Sequence, residues 1–548
     1  MVNNASSRRR RALVLGGLAA AVVCGGSIGA YALVTSAADR TVVSNVQGTA
    51  IGALGGHIVQ STLTNLVLGG NNAAALSLAF GNGDAMFAAK FNAADGSGAN
   101  VGANSRFTRM PRADLKGTGQ WANHAPARAT GPNTVSCTDC HTLGGDDGAG
   151  PASSNVHRDA EHLGLLNRMV QRNTPHVFGL GALQRLAEEM TVDLQTTRDT
   201  TRANLGCDVT TTGTGNTSTA NLTSKGVSFG QIRITHTAGS KNCTETLIAP
   251  TTGAALALSL DLVVRPFQWK GSVASIRDFV RGAAHNEIGM QGTELLGSPT
   301  VDPATVDGDG DGVANELFVG DITALTIYQA GQPRPTTLQE LAALGEIPAL
   351  TSDQVVAIND GSAIFDRIGC GGCHARRLVI NNPVFQEPSA LAAFRDPGDV
   401  FPNGRSYGNS ALRADAAVHF DLTRDALEND GIITSNGQPL GTFQRDAQGH
   451  ALVDLFGDLR RHNMGAKLAE EVDEVGTGAS VFMTENLWGV GSTAPYLHDG
   501  RAASLSEAIL EHGGEGQNAH DNFVSASLTA QQHLIAFLNS LVLFKDEE

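Results

Sequence analysis

Two short motifs of the form CxxCH constrain this chain more than any other feature, and they occupy residues 137–141 and 370–374. Two thiols at this spacing can form thioether bonds to the vinyl groups of one porphyrin, and the adjacent histidine then reaches the iron. The rival interpretations are a zinc site, which needs further Cys or His ligands nearby, and a thioredoxin-like redox pair. The motifs predict two covalently bound haem c groups, with thioether bonds and iron ligands from Cys137, Cys140, His141, Cys370, Cys373 and His374.

Composition limits the partners of the chain. It has 548 residues, enough for two or three domains, and a formal net charge of −16. This acidic balance argues against a nucleic-acid partner, because few basic groups are available to neutralise phosphates. It is compatible with an exported soluble protein or with a docking surface for a basic electron donor.

The cysteines outside the two motifs predict a disulfide. Of seven cysteines, four lie in the motifs and Cys24 lies in an N-terminal leader. Cys207 and Cys243 remain, and in an oxidising compartment they are expected to pair, although two buried free thiols are the alternative. Residues 193–262 are rich in Thr, Ser and Asn, and residues 227–237 alternate like a strand, which together predict a small disulfide-closed β insertion.

The first forty residues have the pattern of an export signal. Four arginines at 8–11 precede an apolar run at 12–34, and Ser-Ala-Ala at 36–38 offers a cleavage site. The apolar run is also long enough to span a bilayer, so a membrane tether through residues 12–34 is the alternative. Either interpretation predicts a periplasmic or otherwise extracytoplasmic protein.

An internal repeat predicts two related haem domains. A G-x-x-x-F pattern occurs at 83–87 and again at 361–365, the second time directly before CxxCH as in class I cytochromes c. Residues 265–280 resemble 496–509, with Trp269 aligned to His498. We therefore predict a mainly α fold of two class I cytochrome c-like domains in tandem, with a helix over 155–169. The predicted boundaries are a signal or anchor at 1–40, haem domain one at 41–300, a calcium-type loop and linker at 301–350, and haem domain two at 351–548.

The acidic segment between these domains has the first half of a calcium loop. Asp307, Asp309 and Asp311 supply oxygen ligands at positions 1, 3 and 5, and Gly312 follows at position 6. Glu316 stands at position 10 rather than 12, so the loop is not a standard EF-hand. We predict Ca²⁺ bound by Asp307, Asp309, Asp311 and Glu316, with a solvated acidic turn as the alternative.

Several segments resemble the bacterial di-haem oxidoreductases, a peroxidase-like family also called thiol oxidoreductases, which is distantly similar to di-haem cytochrome c peroxidase. The segments are residues 173–183, 319–325, 462–465, 487–491 and 494–515. The resemblance covers most of 80–190 and 260–545 but not the β insertion. Because no free cysteine is expected, the family name thiol oxidoreductase does not imply thiol chemistry in this chain.

The resemblance implies an exported enzyme in which the first haem reacts with peroxide or another small oxidant. The second haem would relay electrons from a small electron-donor protein or a quinol-linked donor. By position in the peroxidase relatives, His512, fourteen residues after His498, is the second axial ligand of the second haem, with Met464 and His462 as alternatives. Glu287, eighteen residues after Trp269, corresponds to the catalytic acid–base. Trp269 itself corresponds to a tryptophan between the haems, although packing alone also explains a tryptophan.

The residue opposite His141 is left open by the sequence. His285, Met290, His162 or His157 could each occupy that axial position instead of leaving it to peroxide. The alternative function is therefore an electron-transfer cytochrome with both haems six-coordinate and no peroxidase activity. A structural surface protein with vestigial haems is disfavoured by two intact motifs.

Overall fold

The computed structural model describes residues 48–99, 101, 105–117, 120–124, 127–209, 215–295, 307, 309–395 and 412–546. The predicted leader, with its apolar run at 12–34, lies outside these residues. Within the described ranges, no helix combines the length and apolar character needed to cross a bilayer.

The described residues contain α-helices of very different length, from single turns to one helix of 26 residues. In chain order they are α1 (Ala50–Ala53), α2 (Gln60–Leu68), α3 (Asn72–Ala88), α4 (Leu180–Leu205), α5 (Ile276–Ala283), α6 (Val319–Ala330), α7 (Leu338–Leu344), α8 (Ser352–Ile368), α9 (Ala392–Arg395), α10 (Leu505–Glu511), α11 (Gln517–Ser525) and α12 (Leu528–Asn539).

The strands are mostly short. They are β1 (Val156–Arg158), β2 (Val170–Arg172), β3 (Thr217–Ser224), β4 (Val227–His236), β5 (Cys243–Ile248), β6 (Thr336–Thr337), β7 (Leu378–Ile380), β8 (Val384–Glu387), β9 (Val418–Asp421), β10 (Gln444–Arg445), β11 (Ala451–Val453), β12 (Arg461–Asn463), β13 (Val481–Met483) and β14 (Leu541–Val542). They pair antiparallel in sheets of order β1-β2, β3-β4-β5, β6-β14, β10-β11-β7, β8-β9 and β12-β13.

The predicted fold class, mainly α with two class I cytochrome c-like domains in tandem, is wrong. Five of the small antiparallel sheets lie outside the predicted β insertion. Strands of two to four residues are too short to produce a recognisable alternation of apolar and polar side chains, so no sequence signal indicated them. The helix predicted over 155–169 is likewise absent, because Val156 pairs with Arg172 in the hairpin of β1 and β2.

The two G-x-x-x-F patterns serve the same packing purpose in both halves of the chain. A Cβ at Gly83 in α3 would lie 2.2 Å from the carbonyl oxygen of Ala324 in α6. A Cβ at Gly361 in α8 would lie 1.9 Å from the carbonyl oxygen of His533 in α12. Each glycine therefore lets the helix associated with a CxxCH motif cross a later helix at backbone contact.

Helix α6 lies at the centre of the molecule. All of its residues, Val319 to Ala330, are buried, although it falls within the range 301–350 that was predicted as loop and linker. The main hydrophobic core joins Ile322 and Ile327 of this helix to Leu186 of α4 and to Phe385 and Phe420 of β8 and β9. Both halves of the chain contribute to this core, whereas α8 and Cys370 of the second motif pack with α12 in a separate hydrophobic cluster.

A disulfide joins Cys207 to Cys243 and closes a loop of 36 residues that contains β3 and β4. Closing a loop of this length stabilises the folded state by about 3–4 kcal/mol in the chain-entropy description. Strand β4, predicted at 227–237, is confirmed at Val227–His236, and its Phe229, Ile232 and Ile234 enter the core.

Candidate haem-binding site

Both CxxCH motifs form a single 3₁₀ turn, Cys137–Asp139 in the first and Cys370–Gly372 in the second. The histidine that follows each turn is oriented by a backbone carbonyl: His141 Nδ1 lies 2.9 Å from Gly148 O, and His374 Nδ1 lies 3.1 Å from Phe456 O. A carbonyl acceptor places the proton on Nδ1 and leaves Nε2 as the ligand atom. Burial lowers the pKa of His141 and lowers that of His374 to about 4, so both imidazoles are neutral and able to bind a metal.

Each motif lines its own cavity. The cavity of about 950 Å³ beside the second motif is lined by Cys370, Cys373 and His374. The cavity of about 230 Å³ beside the first motif is lined by Cys137, Cys140 and His141, with apolar residues such as Phe87 and Val280 around them. Thiol pair, imidazole and apolar cavity together form the donor set and surroundings that a covalently attached haem requires.

His512 lies across the second cavity from His374. Their ring centres are 6.5 Å apart, and His512 Nδ1 lies 2.7 Å from the carbonyl oxygen of Ala508. Two metal–imidazole bonds of about 2 Å each, with about 1 Å more from each nitrogen to its ring centre, give roughly 6 Å between ring centres. Burial lowers the pKa of His512 as well. The separation of the two neutral rings therefore fits one iron between them, and ligation by His512 stays a prediction.

The two alternatives to His512 as the iron ligand, His462 and Met464, also line this cavity but differ in their ability to bind iron. Both ring nitrogens of His462 face carboxylates, Nδ1 at 3.0 Å from Glu515 and Nε2 at 2.9 Å from Asp458. Although burial opposes the charged form, hydrogen bonds with Asp458, Cys373 and Glu515 raise the pKa of His462 to about 11. A protonated imidazole cannot bind iron, which leaves Met464 as the competing ligand.

The internal repeat around Trp269 and His498 adopts one local structure twice. Phe267 bridges Val273 in the first copy and Tyr496 bridges Ala502 in the second. Each copy then starts a helix with a serine cap: Ser275 accepts a hydrogen bond from the Asp278 N–H before α5, and Ser504 accepts one from the Glu507 N–H before α10.

The ends of these two helices carry the two candidate residues. His512 is the residue that ends α10, whereas α5 continues into a π-helical turn, Ala284–Ile288, that contains Glu287. The wider turn extends the first copy by several residues, which explains why Glu287 is eighteen residues from Trp269 while His512 is fourteen from His498. The same structural unit thus directs a histidine into one cavity and a carboxyl group into the other.

Glu287 lines the first cavity and is fixed by its neighbours. Its backbone oxygen accepts hydrogen bonds from the N–H groups of Asn133 and Thr134, at 2.8 and 3.1 Å, and its carboxyl group accepts one from Asn133 Nδ2. Burial raises the pKa of Glu287 above its usual value, against the opposing effect of that hydrogen bond and of Arg158. Burial and then the charge of Glu287 raise the pKa of the Cys140 thiol to about 11, which places the carboxyl within electrostatic reach of the motif.

Four residues, His285, Met290, His162 and His157, are the candidate axial ligands opposite His141. Of these, only Met290 lies in the described lining of the first cavity. His162 stacks on Trp121 with 4.5 Å between ring centres, and the half-buried His157 has its Nε2 2.9 Å from Gln171 Nε2. His285 faces His124, at 5.4 Å, on the other side of the π-helical turn.

Trp269 lies in a wall that the two cavities share. Its indole Nε1 donates a 2.9 Å hydrogen bond to Asn173 O, which fixes the ring. His176 lines both cavities as well; its Nε2 is 3.2 Å from Trp488 O, and its Nδ1 accepts a hydrogen bond from the Phe178 N–H. Its place within the family-like segment 173–183 was the only sequence signal for His176.

Glu485 is a further member of the shared wall, and no sequence pattern pointed to it. Its side chain is exposed and opens onto the cavities, and desolvation by the surrounding chain raises the pKa of its carboxyl group to about 7. Glu287 and Glu485 are the carboxyl groups among the described residues that line the first cavity. Glu485 is therefore the competing candidate for acid–base chemistry there.

The acidic loop brings three of its four predicted calcium ligands together. One carboxylate oxygen each of Asp307, Asp309 and Asp311 lies within 4.8 Å of the others. Glu316 is not in this group; its Oε2 accepts a 2.7 Å hydrogen bond from the Gln291 N–H. Oxygen ligands at this separation suit a hard cation, and calcium stays a prediction.

The comparison with known families bears on the second half of the chain. Residues 386–541 match the family model described as "Di-haem oxidoreductase, putative peroxidase". The matched region contains His512, Trp488 and the segment 494–515, and the matched family is the one that the sequence resemblance suggested. No curated protein matches the chain at a significant level of similarity.

Proposed function

Taking this family match as the premise, we propose that the protein is an exported di-haem c-type oxidoreductase that reduces peroxide at its first haem. The second cavity would hold the haem that receives electrons from a small electron-donor protein or a quinol-linked donor. The competing function is an electron-transfer cytochrome with two six-coordinate irons.

The observation that carries the proposal is the difference between the two cavities. In the second, a neutral histidine faces His374 at a separation suited to a shared iron. In the first, a half-buried glutamate lines the cavity. His176, which with His141 is one of the two histidines in its described lining, has both ring nitrogens engaged. An iron with two histidine ligands suits electron transfer, whereas an open axial position beside a carboxyl group suits reaction with peroxide.

In this proposal the haems would supply the redox chemistry, and the side chains of the protein would hold the haems and move protons. When bound, each haem supplies an iron that exchanges single electrons and, where an axial position is open, can bind peroxide. His141 and His374 would hold the two irons, and the four motif cysteines would fix the porphyrins. Glu287 would take the proton from an incoming peroxide and return it to the departing oxygen, a role that a raised pKa favours.

The shared wall and the surface charge support the electron-transfer part. Trp269 is fixed between the two cavities by its bond to Asn173, which suits a relay residue. A chain of net charge −16 suits a basic donor protein. The disulfide between Cys207 and Cys243 is compatible with export to an oxidising compartment such as the periplasm.

The haem content tests the proposal first. Mass spectrometry of the purified protein is expected to find two haem additions per chain, and acid–acetone is expected not to extract them, since four thioether bonds hold them. Cys370→Ser together with Cys373→Ser is expected to leave one addition. A wild-type protein with one haem, or with haem that acid–acetone extracts, would overturn the proposal.

We further propose that Asp307, Asp309 and Asp311, the three carboxylates that lie together, bind Ca²⁺. When the Ca²⁺ concentration is a hundred times the dissociation constant, binding stabilises the folded state by about 2.7 kcal/mol. EGTA is therefore expected to lower the melting temperature, and added Ca²⁺ is expected to restore it. The variant with Asn at 307, 309 and 311 serves as the control, since its melting curve should not respond to either treatment. Identical wild-type curves with EGTA and with Ca²⁺ would count against the site.

A further inference from the structure

Tyr328 is a buried tyrosine that lies close to His141. It belongs to helix α6 and is 1% exposed. Its ring centre is 5.4 Å from that of Phe87, whose ring centre is 5.6 Å from that of His141. One phenylalanine ring therefore connects the phenol to the imidazole that follows the first CxxCH motif.

The hydroxyl group of Tyr328 is also connected to His141 through hydrogen bonds. It donates to Asp147 Oδ2 at 2.7 Å. The next residue, Gly148, accepts the hydrogen bond of His141 Nδ1 at 2.9 Å. Two hydrogen bonds and the short backbone segment from Asp147 to Gly148 thus link the phenol to the imidazole.

Asp147 lies where a proton leaving the phenol would arrive. Among the described residues its other oxygen, Oδ1, is buried without a hydrogen-bond partner. Lys545 Nζ lies 2.6 Å from Oδ2 and 3.5 Å from a carboxylate oxygen of Glu428, and Asp84 also faces the group. Burial and the surrounding carboxylates raise the pKa of Tyr328, so the phenol keeps its proton until the ring is oxidised.

The second half of the chain has an equivalent helix crossing, where Phe537 takes the place of Tyr328. A Cβ at Gly83 would lie 2.6 Å from Cβ of Tyr328, and a Cβ at Gly361 would lie 2.8 Å from Cβ of Phe537. The Phe537 ring packs 5.6 Å from Phe365, as Tyr328 packs against Phe87. Phenylalanine therefore satisfies the packing at this helix crossing, and the hydroxyl group with its carboxylate partner is an addition found beside the first motif.

We propose that Tyr328 is a redox-active tyrosine that supplies one of the two electrons needed to reduce peroxide at the first haem. This inference rests on the proposed function. The electron leaves the phenol toward His141; its O–H bond breaks, and an O–H bond forms on Asp147. A neutral tyrosyl radical and a protonated Asp147 result, and Lys545 keeps its charge. The second electron comes from the reduced donor, and two protons from solvent complete the two water molecules formed from peroxide. A later donor electron reduces the tyrosyl radical while Asp147 returns its proton to the phenol oxygen.

The test is freeze-quench EPR of the full-length di-haem protein mixed with hydrogen peroxide. Wild type is expected to give an organic radical whose lines narrow when the protein contains ring-deuterated tyrosine. Tyr328→Phe should lose the signal, and its fold should persist because Phe537 shows that the crossing accepts phenylalanine. Tyr496→Phe is the matched control, since Tyr496 lines the second cavity, and it should keep the signal. Asp147→Asn keeps an oxygen acceptor without a proton-accepting carboxylate and should reduce the radical yield.

A tyrosyl signal that persists in Tyr328→Phe, or that disappears in Tyr496→Phe, would overturn the assignment. A wild-type protein whose haem absorption responds to peroxide without any tyrosyl radical would overturn the inference alone. Haem absorption that does not respond to peroxide would overturn the proposed function and this inference together.

Discussion

Glu287→Gln is expected to slow the reaction with hydrogen peroxide by about 10²–10⁴-fold, the usual cost of losing a general acid–base group. Glutamine has the same shape and can still accept the hydrogen bond of Asn133 Nδ2, so the π-helical turn and both haems should be retained. The measurement is the stopped-flow rate at which peroxide changes the haem absorption, together with the haem content of the variant.

Glu485→Gln provides the matched control, because Glu485 also lines the first cavity. It should react with peroxide at close to the wild-type rate. If Glu485→Gln is slowed and Glu287→Gln is not, the acid–base residue is Glu485 and the assignment by spacing from Trp269 is incorrect.

His512→Ala is expected to remove the bis-histidine signal of one haem in every molecule. The imidazole that faces His374 is lost, and the haem should become high-spin, since the rings of His374 and His512 are at the separation that one iron requires. The EPR spectrum of the oxidised variant measures this directly. A bis-histidine signal of wild-type intensity in His512→Ala would exclude His512 as the ligand.

Two further variants make the ligand experiment specific. His520→Ala removes another histidine that lines the same cavity and should leave the spectrum unchanged. If Met464 replaces the lost ligand in His512→Ala, a histidine–methionine signal appears instead of a high-spin one, and adding Met464→Ala should then give the high-spin haem.

The local structure of the two CxxCH motifs could be predicted because it depends on few residues. CxxCH contains its own spacing, and the 3₁₀ turns at Cys137–Asp139 and Cys370–Gly372 need only the residues of the motif. The repeat around Trp269 and His498 is also visible in the structure, since the serine caps at Ser275 and Ser504 start both helices in the same way. His512 and Glu287 were predicted from their spacing in the peroxidase relatives, and both line the cavities beside the motifs.

The fold class could not be predicted in the same way. Strands such as β6, β10 and β14 contain two residues each, and their pairing partners are distant, as in Leu541 with Thr337. No local pattern determines such pairs; they form because the surrounding chain has already packed. The pattern G-x-x-x-F before CxxCH is a local feature that cytochromes c also have. We predicted a whole cytochrome c-like domain from it, and the structure does not contain such a domain.

Residues that depend on distant contacts were also missed. Tyr328, Asp147 and Lys545 are far apart in the sequence, and their hydrogen bonds form only when α6 and the C-terminal segment meet behind His141. Glu485 and His176 enter the shared wall for a similar reason, since residues from both halves of the chain build it.

The measurement that tests the central claim most directly is the EPR spectrum, with the near-infrared spectrum, of the purified protein before and after partial reduction. The proposal predicts one low-spin haem with two histidine ligands and one high-spin haem per chain, because His512 faces His374 while Glu287 borders the first cavity. Two low-spin haems in both states would contradict it, since neither iron would then be open to peroxide, and the protein would be an electron-transfer cytochrome.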